Sequence, residues 1–419
     1  MRIVSIVLSK IKITKLCDSV ILFSIYAIAF FLPISKAIIE SFSIMAITFF
    51  LLKKIINSDG LPKTPLNFWI FIYLTVCAFS IFTSSNPAIS SRTFFTKALQ
   101  DMAFFFTVFE SLNEKKKIKN TLNVLFFSSL VLGIDGIYQY FTTQDFLRHR
   151  PVIFTERIYA SFATPNAFGC YLATVIPFLI SSFFLKLRPK TSRFIYFSLF
   201  VLLFACLLLT VSRGAWLAFL TSVLFMSIWI HGLAVFLLLL GMFIIATYVF
   251  YPPFLKERLI KFFVFSDTSS IDRKFIWQAG WKMFVANPWL GVGLGTFMFN
   301  FKKFISEDYQ YTAAYAHNCY LQMASEMGLI GLLAFLFIPG LFFYHGIKIL
   351  NSSARNFYWY TLLASLAAII GYCVQMGVDT TLYSLDLGML FWLVLGIGVA
   401  ALKNLEADSK KNTIKRANV

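Results

Sequence analysis

Residues 214–251 read GAWLAFLTSVLFMSIWIHGLAVFLLLLGMFIIATYVFY, and no Asp, Glu, Lys or Arg interrupts them. A helix needs roughly 20 mostly apolar residues to cross a bilayer, because its backbone polar groups must all be paired inside the hydrocarbon. The stretch is long enough for two such helices, which we divide at His231-Gly232. It predicts a protein built in the membrane rather than around an aqueous core.

The rest of the chain has the same character. Of its 419 residues, 59% are hydrophobic and 13% are charged, whereas a soluble domain is about half apolar and a quarter charged. We therefore predict an all-α integral membrane protein with about twelve transmembrane helices. The apolar runs are 17–35, 37–52, 67–83, 96–111, 121–140, 165–185, 194–211, 214–231, 232–251, 320–345, 358–378 and 384–402.

The distribution of basic residues predicts the orientation. The net charge is +18, and 22 of the 37 Lys and Arg residues lie at the two termini or in short loops on one side of the predicted topology. Short cytoplasmic loops are enriched in Lys and Arg. We expect both termini in the cytoplasm, with the basic start as the flank of the first helix. Because the basic residues in these loops account for the orientation in the membrane, the positive net charge does not indicate nucleic acid as a partner.

One extramembrane segment stands out by its length. Residues 252–319 separate the ninth and tenth predicted spans and are expected on the outer side of the membrane. Long loops without a simple connecting task tend to carry function. We divide the chain into an N-terminal membrane part with the first outer loop (1–164), a membrane core that includes the loop 252–319 (165–402), and a basic cytoplasmic tail (403–419).

Two kinds of site are disfavoured. The six cysteines are scattered without a CxxC pair, which speaks against a disulfide framework or a zinc site, and we predict neither metal nor cofactor. The glycines of Gly291-Val292-Gly293-Leu294-Gly295 lack the preceding strand and the Lys-Ser/Thr of a nucleotide-binding P-loop. We expect them to form a turn packed against the membrane face.

Basic residues of the outer side are candidates for binding an anion. Arg213, in Ser212-Arg213-Gly214, is expected at the outer end of span eight, and a guanidinium at this depth is either an interfacial side chain or a donor to phosphate. Arg273 and Lys274 follow Asp272 at the expected start of an amphipathic helix that carries Trp277, Trp281 and Met283. Cations in a first turn are disfavoured by the helix dipole unless an anion binds there.

A polar stripe leads into span ten. Asn318, Gln322 and Glu326 recur at helical spacing, either as a ladder between helices or as part of a site. His317 precedes them at the membrane boundary, where an imidazole can act as a general base. Asp135, Asp379 and Asp386 are acids that could pair with the arginines, and the sequence leaves open which one does.

The motifs together resemble those of the O-antigen ligase and polymerase superfamily of bacterial membrane glycosyltransferases. The resemblance covers roughly 155–340. It rests on Ser212-Arg213-Gly214, Arg273 before Trp277, Asn287-Pro288 before Gly291-Val292-Gly293, His317-Asn318 with Tyr320-Leu321-Gln322, Glu326, Gly328 and Gly331, and the stretch Arg157 to Leu172 around Thr164-Pro165-Asn166.

The resemblance implies a fold, a substrate and roles for individual residues. The fold would be GT-C-like, and the donor a glycan on undecaprenyl diphosphate, transferred without a metal to a glycan or lipid acceptor such as lipid A-core. Arg213 and Arg273 would stabilise the diphosphate, and His317 would act as base or orient the acceptor. The further residues expected to bind substrate are Arg157, Lys274, Asn318, Tyr320, Gln322 and Glu326.

Other functions remain open at this stage. A polymerase would join repeat units on the same carrier, and a protein O-oligosaccharyltransferase would use a protein acceptor. From a different class, a glycolipid transporter would need a continuous polar path through several spans, whereas the cytoplasmic halves of the spans are almost uniformly apolar. Membrane lipids are a partner in each case.

Overall fold

The computed structural model is a bundle of helices. It describes residues 2–149, 151, 157–185, 190–230, 237, 240–242, 244, 268–305 and 315–417, and no strand occurs within these ranges. The helices are α1 Arg2–Phe31, α2 Lys36–Asn57, α3 Asn67–Phe82, α4 Pro87–Thr93, α5 Gln100–Ser111, α6 Lys115–Thr142, α7 Pro165–Phe184, α8 Lys190–Leu209, α9 Arg213–Ile230, α10 Thr268–Ala286, α11 Phe297–Phe304, α12 Cys319–Ser352, α13 Phe357–Met376 and α14 Leu385–Ala417.

The helices follow the predicted spans closely. Eleven of the twelve apolar runs coincide with helical segments, and the twelfth, 232–251, lies almost entirely outside the described residues. In the described part of the chain, 7 helices are long and apolar enough to cross a membrane, and two shorter apolar helices accompany them. The all-α integral membrane architecture is thus confirmed, whereas the number twelve stays a prediction.

Helix α13 forms the centre of the bundle. It packs against α7, α9 and α14 and is buried along most of its length. Small residues permit the close approach to α9: a Cβ on Gly371 would lie 2.2 Å from Ser222 Oγ, and that hydroxyl donates to the Ala367 carbonyl at 2.7 Å. Such contacts are typical of helix pairs in membranes, where burial of apolar surface does not by itself drive helices together.

Several connections meet at one end of the bundle, which we call the upper end. Helices α7, α9, α12 and α14 begin there, and α6, α8 and α13 finish there. The segments between them, 157–164, 210–212, 315–318 and 377–384, therefore lie close together. Every residue predicted to take part in catalysis or substrate binding belongs to these segments, to the first turns after them, or to α10.

Two helices depart from the regular geometry predicted for them. The predicted span 320–345 lies within α12, but this helix is interrupted: Gly328, with φ 65° and ψ −169°, splits it into a short upper part and a long lower part. The run 96–111 begins with a π-helical turn, Phe94–Leu99, before α5. Such turns are rare and are often found at functional sites.

Candidate active site

The backbone before His317 is held by side chains from two helices. The Ala316 N–H donates to Gln322 Oε1 at 3.1 Å, and Trp277 Nε1 donates to the Ala316 carbonyl at 3.0 Å. His317 has a φ of 48°, and Asn318 then caps α12 with its side chain. A left-handed conformation costs a non-glycine residue about 1–3 kcal/mol and persists only where the surroundings impose it. Here Trp277 and Gln322 impose it.

The imidazole of His317 faces the carboxylate of Asp379. The distance from Nδ1 to Asp379 Oδ1 is 3.3 Å, and the imidazole is 44% exposed whereas the carboxylate is 16% exposed. When Nδ1 carries a proton that it donates to Asp379, Nε2 is left as the unprotonated nitrogen. An oriented base with an accessible nitrogen is the arrangement needed to remove a proton from a hydroxyl group.

Asp379 is held in place and kept ionised. Its carbonyl accepts from Cys319 Sγ at 3.3 Å, and its Oδ1 accepts the Thr380 N–H at 2.8 Å. Burial alone would raise the pKa of the Asp379 carboxyl. The hydrogen bond and charge of His317, the Thr380 N–H and the charge of Arg273 together bring this pKa below its ordinary value.

Arg213 reaches the same place from α9. It is the first residue of that helix and is half-buried. A Cβ on the next residue, Gly214, would lie 2.5 Å from Val378 and 2.7 Å from Gln375 Oε1, so the start of α9 packs directly against the segment that carries Asp379. The turn before it contains Val211 with a φ of 49°. For a β-branched residue this is a strained conformation, and strain of this kind clusters at functional sites.

Arg273 lies on α10, but not where the sequence suggested. The helix begins at Thr268 rather than at Asp272, so Arg273 and Lys274 are in its second turn and the argument from the helix dipole for an anion there is wrong. Arg273 is half-buried and acts electrostatically on Asp379, whereas Lys274 is exposed. The structure therefore brings Arg273 to the site and turns Lys274 to the surface.

The surface of α10 has two faces. Ile276, Ala279 and Met283 are buried in a small cluster with Phe297 and Ala316, whereas Trp281 is 58% exposed. Trp277 and Trp281, which the sequence groups together on one apolar face, thus point in different directions. Contact of the exposed face with the membrane surface stays a prediction.

Arg157 fastens two of the upper segments together. Its Nε donates to the Thr210 carbonyl at 2.9 Å, and its Nη2 donates to Asn166 Oδ1 at 3.0 Å. Thr210 begins the turn that leads to Arg213, and Asn166 lies in the first turn of α7. In this geometry Arg157 supports the position of Arg213, and a direct contact with substrate remains a prediction.

The predicted binding residues of α12 are engaged inside the protein. Tyr320 Oη donates to the Cys373 carbonyl at 2.7 Å, and Gln322 Nε2 donates to Glu326 Oε1 at 3.1 Å. The fully buried Glu326 also accepts the Gly295 N–H at 2.9 Å and the Phe297 N–H at 3.2 Å. These bonds favour a structural role, in which the polar stripe secures the segment 291–297 and the backbone before His317.

The glycine segment is buried inside the protein, which corrects the expectation that it packs against the membrane face. Gly291, Gly293 and Gly295 all have positive φ, and a Cβ on Gly291 would lie 2.3 Å from the Glu326 carbonyl carbon. A Cβ on Gly293 would lie 2.1 Å from Ser84 Oγ. The backbone needs glycine here both for its conformation and for its close approach to α12 and to residues 84–93.

We expect Glu326→Ala to destabilise the protein by roughly 2–5 kcal/mol, because three buried donors would lose their acceptor. Thermal unfolding of the purified protein in detergent measures this as a lower unfolding temperature. Glu406→Ala, at an exposed carboxylate on α14, is the matched control and is expected to change little. Equal unfolding temperatures for Glu326→Ala and wild type would contradict the structural role.

The lowered pKa of Asp379 predicts a pH-dependent contribution to stability. The ionised carboxylate stabilises the folded state above the unfolded pKa of about 3.9, and this contribution disappears as the pH falls through the lower folded pKa. The difference in unfolding temperature between wild type and Asp379→Asn should be constant above about pH 5 and shrink below about pH 4. A difference that grew with falling pH would contradict the assigned direction.

The sequence left open which of three acids could pair with the arginines. In the structure, Asp379 is the acid that lies beside His317 and interacts with Arg273. Of the other two, Asp386 lies 3.8 Å from Lys36 Nζ, and Asp135 accepts the Phe146 N–H at 2.8 Å. The signal available in the sequence was its position in the turn between the last two spans, on the same predicted side as His317. Within the described residues, no group of three or more His, Cys, Asp or Glu side chains could hold a metal ion.

Comparison with known proteins gives one family match. Residues 198–336 match the family model described as O-antigen ligase. This part of the chain is similar to the O-antigen ligase superfamily. None of the curated proteins matches the chain significantly. The match supports a glycosyltransferase of the ligase or polymerase kind, whose partners are in general a lipid-linked glycan and an acceptor.

The boundaries of the O-antigen ligase match show which parts of the site the family model covers. Arg213, Arg273 and His317 lie inside 198–336, as do the polar residues of the upper part of α12. Asp379 and Arg157 lie outside it and join the site only through the fold. The candidate site is thus assembled from the matched segment and from the turn after α13.

Proposed function

We propose that the protein transfers an oligosaccharide or polysaccharide from undecaprenyl diphosphate to an acceptor hydroxyl, such as one on lipid A-core, at the periplasmic face of a bacterial inner membrane. The observation that carries the proposal is the His317–Asp379 pair, 3.3 Å apart, next to Arg273 and to the start of α9 with Arg213. The O-antigen ligase match supports a transferase of the ligase or polymerase kind, and of these two we propose the ligase reaction.

The pair suits the acceptor half of the reaction. In the proposed step the acceptor oxygen attacks the anomeric carbon of the donor sugar, and its proton passes to Nε2 of His317. Asp379 accepts from Nδ1 and stabilises the imidazolium that forms. A new glycosidic C–O bond replaces the bond between the anomeric carbon and the diphosphate, whose oxygen leaves with the bonding electrons.

The arginines suit the donor half. The leaving undecaprenyl diphosphate gains negative charge as the bond breaks, and guanidinium groups placed beforehand stabilise that charge without reorganising. Arg213 and Arg273 come from different helices, so they can approach the diphosphate from two sides. The planar, always charged guanidinium is better matched to phosphate oxygens than an ammonium group.

The position of the site suits a substrate with a lipid tail. The upper segments lie at the ends of helices long enough to cross a membrane. A diphosphate at the headgroup level would reach these ends while its polyprenyl chain stays in the hydrocarbon. The proposed orientation, with both termini in the cytoplasm, places this end outside.

Transfer by the purified protein tests the proposal. The protein is reconstituted in liposomes with an undecaprenyl-diphosphate glycan and, separately, with lipid A-core or with a second copy of the donor. The proposal predicts glycan on lipid A-core, whereas a longer chain on the carrier would assign a polymerase. Movement of the glycolipid across the vesicle wall without transfer to either acceptor would refute both and indicate a transporter.

A further inference from the structure

Lys97 reaches the catalytic region from a helix that contributes no predicted site residue. It lies in the π-helical turn Phe94–Leu99, and its ammonium group donates to the Tyr383 carbonyl at 2.6 Å. The same nitrogen lies 5.8 Å from the centre of the Tyr383 ring. A hydrogen bond from a charged donor is roughly twice as strong as a neutral one.

Tyr383 connects Lys97 with both members of the His317–Asp379 pair. It ends the 3₁₀ turn Thr381–Tyr383 in the segment 377–384, which also carries Asp379. Its ring packs at 6.4 Å from the ring of Tyr315, two residues before His317. A displacement of Tyr383 would therefore reach the carboxylate and the imidazole through separate contacts.

Lys97 is half-buried among other ionisable side chains. Asp101 on α5, Glu326 on α12 and Lys36 on α2 interact with it electrostatically. Beside it lies a cavity of about 40 Å³, lined among others by Tyr73, Asp101 and Trp392. A space of this size can hold a few water molecules, which would help to solvate the charge.

We propose that Lys97 is a positioning residue that holds the segment 377–384 so that Asp379 stays against His317. The inference rests on the proposed function of that pair. The segment is then fixed at two points: Cys319 Sγ donates to the Asp379 carbonyl, and Lys97 donates to the Tyr383 carbonyl. Loss of the second point lets the carboxylate move away from the imidazole while the diphosphate-binding arginines stay in place.

The positioning role predicts two changes in Lys97→Met, one in kcat and one in the dependence of kcat on pH. Misplacing a catalytic group by about 1 Å can cost a hundredfold in rate, so Lys97→Met should lower kcat by roughly 10–100-fold and leave KM for the donor unchanged. Asp379 faces His317 and Arg273, together with the thiols of Cys170 on α7 and Cys319. Weaker contact with Asp379 leaves the imidazolium form of His317 less stabilised, so the acid limb of the pH dependence of kcat should shift to lower pH.

The test compares Lys97→Met with Lys97→Arg and Lys36→Met in the reconstituted transfer assay. Arginine keeps a charged donor and should restore most of kcat and the position of the acid limb. Lys36 is an exposed lysine at the same end of the bundle, so its replacement should change neither. If Lys97→Met does not insert, Lys97→Gln, which keeps a neutral donor, is judged by the same two readouts.

Two outcomes would overturn the role of Lys97. One is a wild-type kcat in Lys97→Met; the other is a loss of kcat that matches a loss of folded protein, with an unshifted acid limb. His317→Ala in the same assay separates this inference from the proposed function. Transfer by His317→Ala at the wild-type rate would remove the basis of both, whereas an inactive His317→Ala beside a fully active Lys97→Met overturns only the positioning role.

Discussion

His317→Ala is expected to lower kcat/KM for glycan transfer by about 10²–10⁴, the usual contribution of a general base. The imidazole is the accessible member of its pair with Asp379, and its φ of 48° shows that the fold holds it in one conformation. The measurement is the initial rate of transfer in liposomes at donor concentrations below saturation. His345→Ala, on the long lower part of α12, is the control and should transfer normally.

Asp379→Asn tests whether the two residues act as a unit. The amide keeps the size of the carboxylate but cannot stabilise an imidazolium by charge. We therefore expect kcat to fall by roughly 10–10³-fold. In the double variant His317→Ala/Asp379→Asn the two losses of kcat should not add as free energies, because Asp379 acts only through His317. Fully additive losses would show that Asp379 contributes independently, and a wild-type rate for His317→Ala would remove the imidazole from the mechanism.

Arg213→Ala and Arg273→Ala are each expected to reduce kcat by about 10²–10³, since each would remove a donor to the charge that develops on the leaving diphosphate. Arg→Lys at either position should recover only part of the rate, because an ammonium cannot bind two phosphate oxygens in a planar fork. Lys282→Ala, at an exposed cation on α10, is the matched control. Lys274→Ala is expected to resemble the control rather than Arg273→Ala.

Folding of the arginine variants must be measured alongside their activity. Arg273 acts on Asp379, so its removal should also raise the pKa of that carboxyl and move the acid limb of the rate upward. A variant that binds donor normally and transfers at the wild-type rate would contradict the assignment of that arginine to the diphosphate. Loss of activity that equals the loss of folded protein would contradict it as well.

The helices were predictable because hydrocarbon allows the backbone few alternatives. Every predicted span within the described residues is helical, since apolar runs of this length must pair their own N–H and C=O groups. The break at Gly328 was not predicted, because glycine occurs freely in membrane helices and the partner that requires the break, Trp289, is distant in sequence. The π-helical turn at 94–99 was not predicted either, because hydrophobic periodicity over so few residues does not distinguish it from an α-helical turn.

The site was predictable where function requires a particular side chain and unpredictable where it depends on packing. His317, Arg213 and Arg273 carry chemistry that few residues can supply, and the fold brings all three to the segment of Asp379. Gln322 and Glu326 show the opposite case. Their polarity marked them as candidates for binding substrate, but their acceptors serve the Ala316, Gly295 and Phe297 N–H groups. Only a three-dimensional arrangement can distinguish these two uses of a polar side chain.

The burial of the glycine segment 291–297 limits how this protein can be recombined with its relatives. Val292 and Gly293 donate to the carbonyls of Ser325 and Glu326, and Ser85 donates to that of Val292. A chimera that exchanged only the loop between α9 and α12 would sever these pairings on both sides. A functional graft would have to carry residues 84–93 and 325–329 along with the loop. These three segments are separate along the chain but form one packed core, so they must be exchanged together.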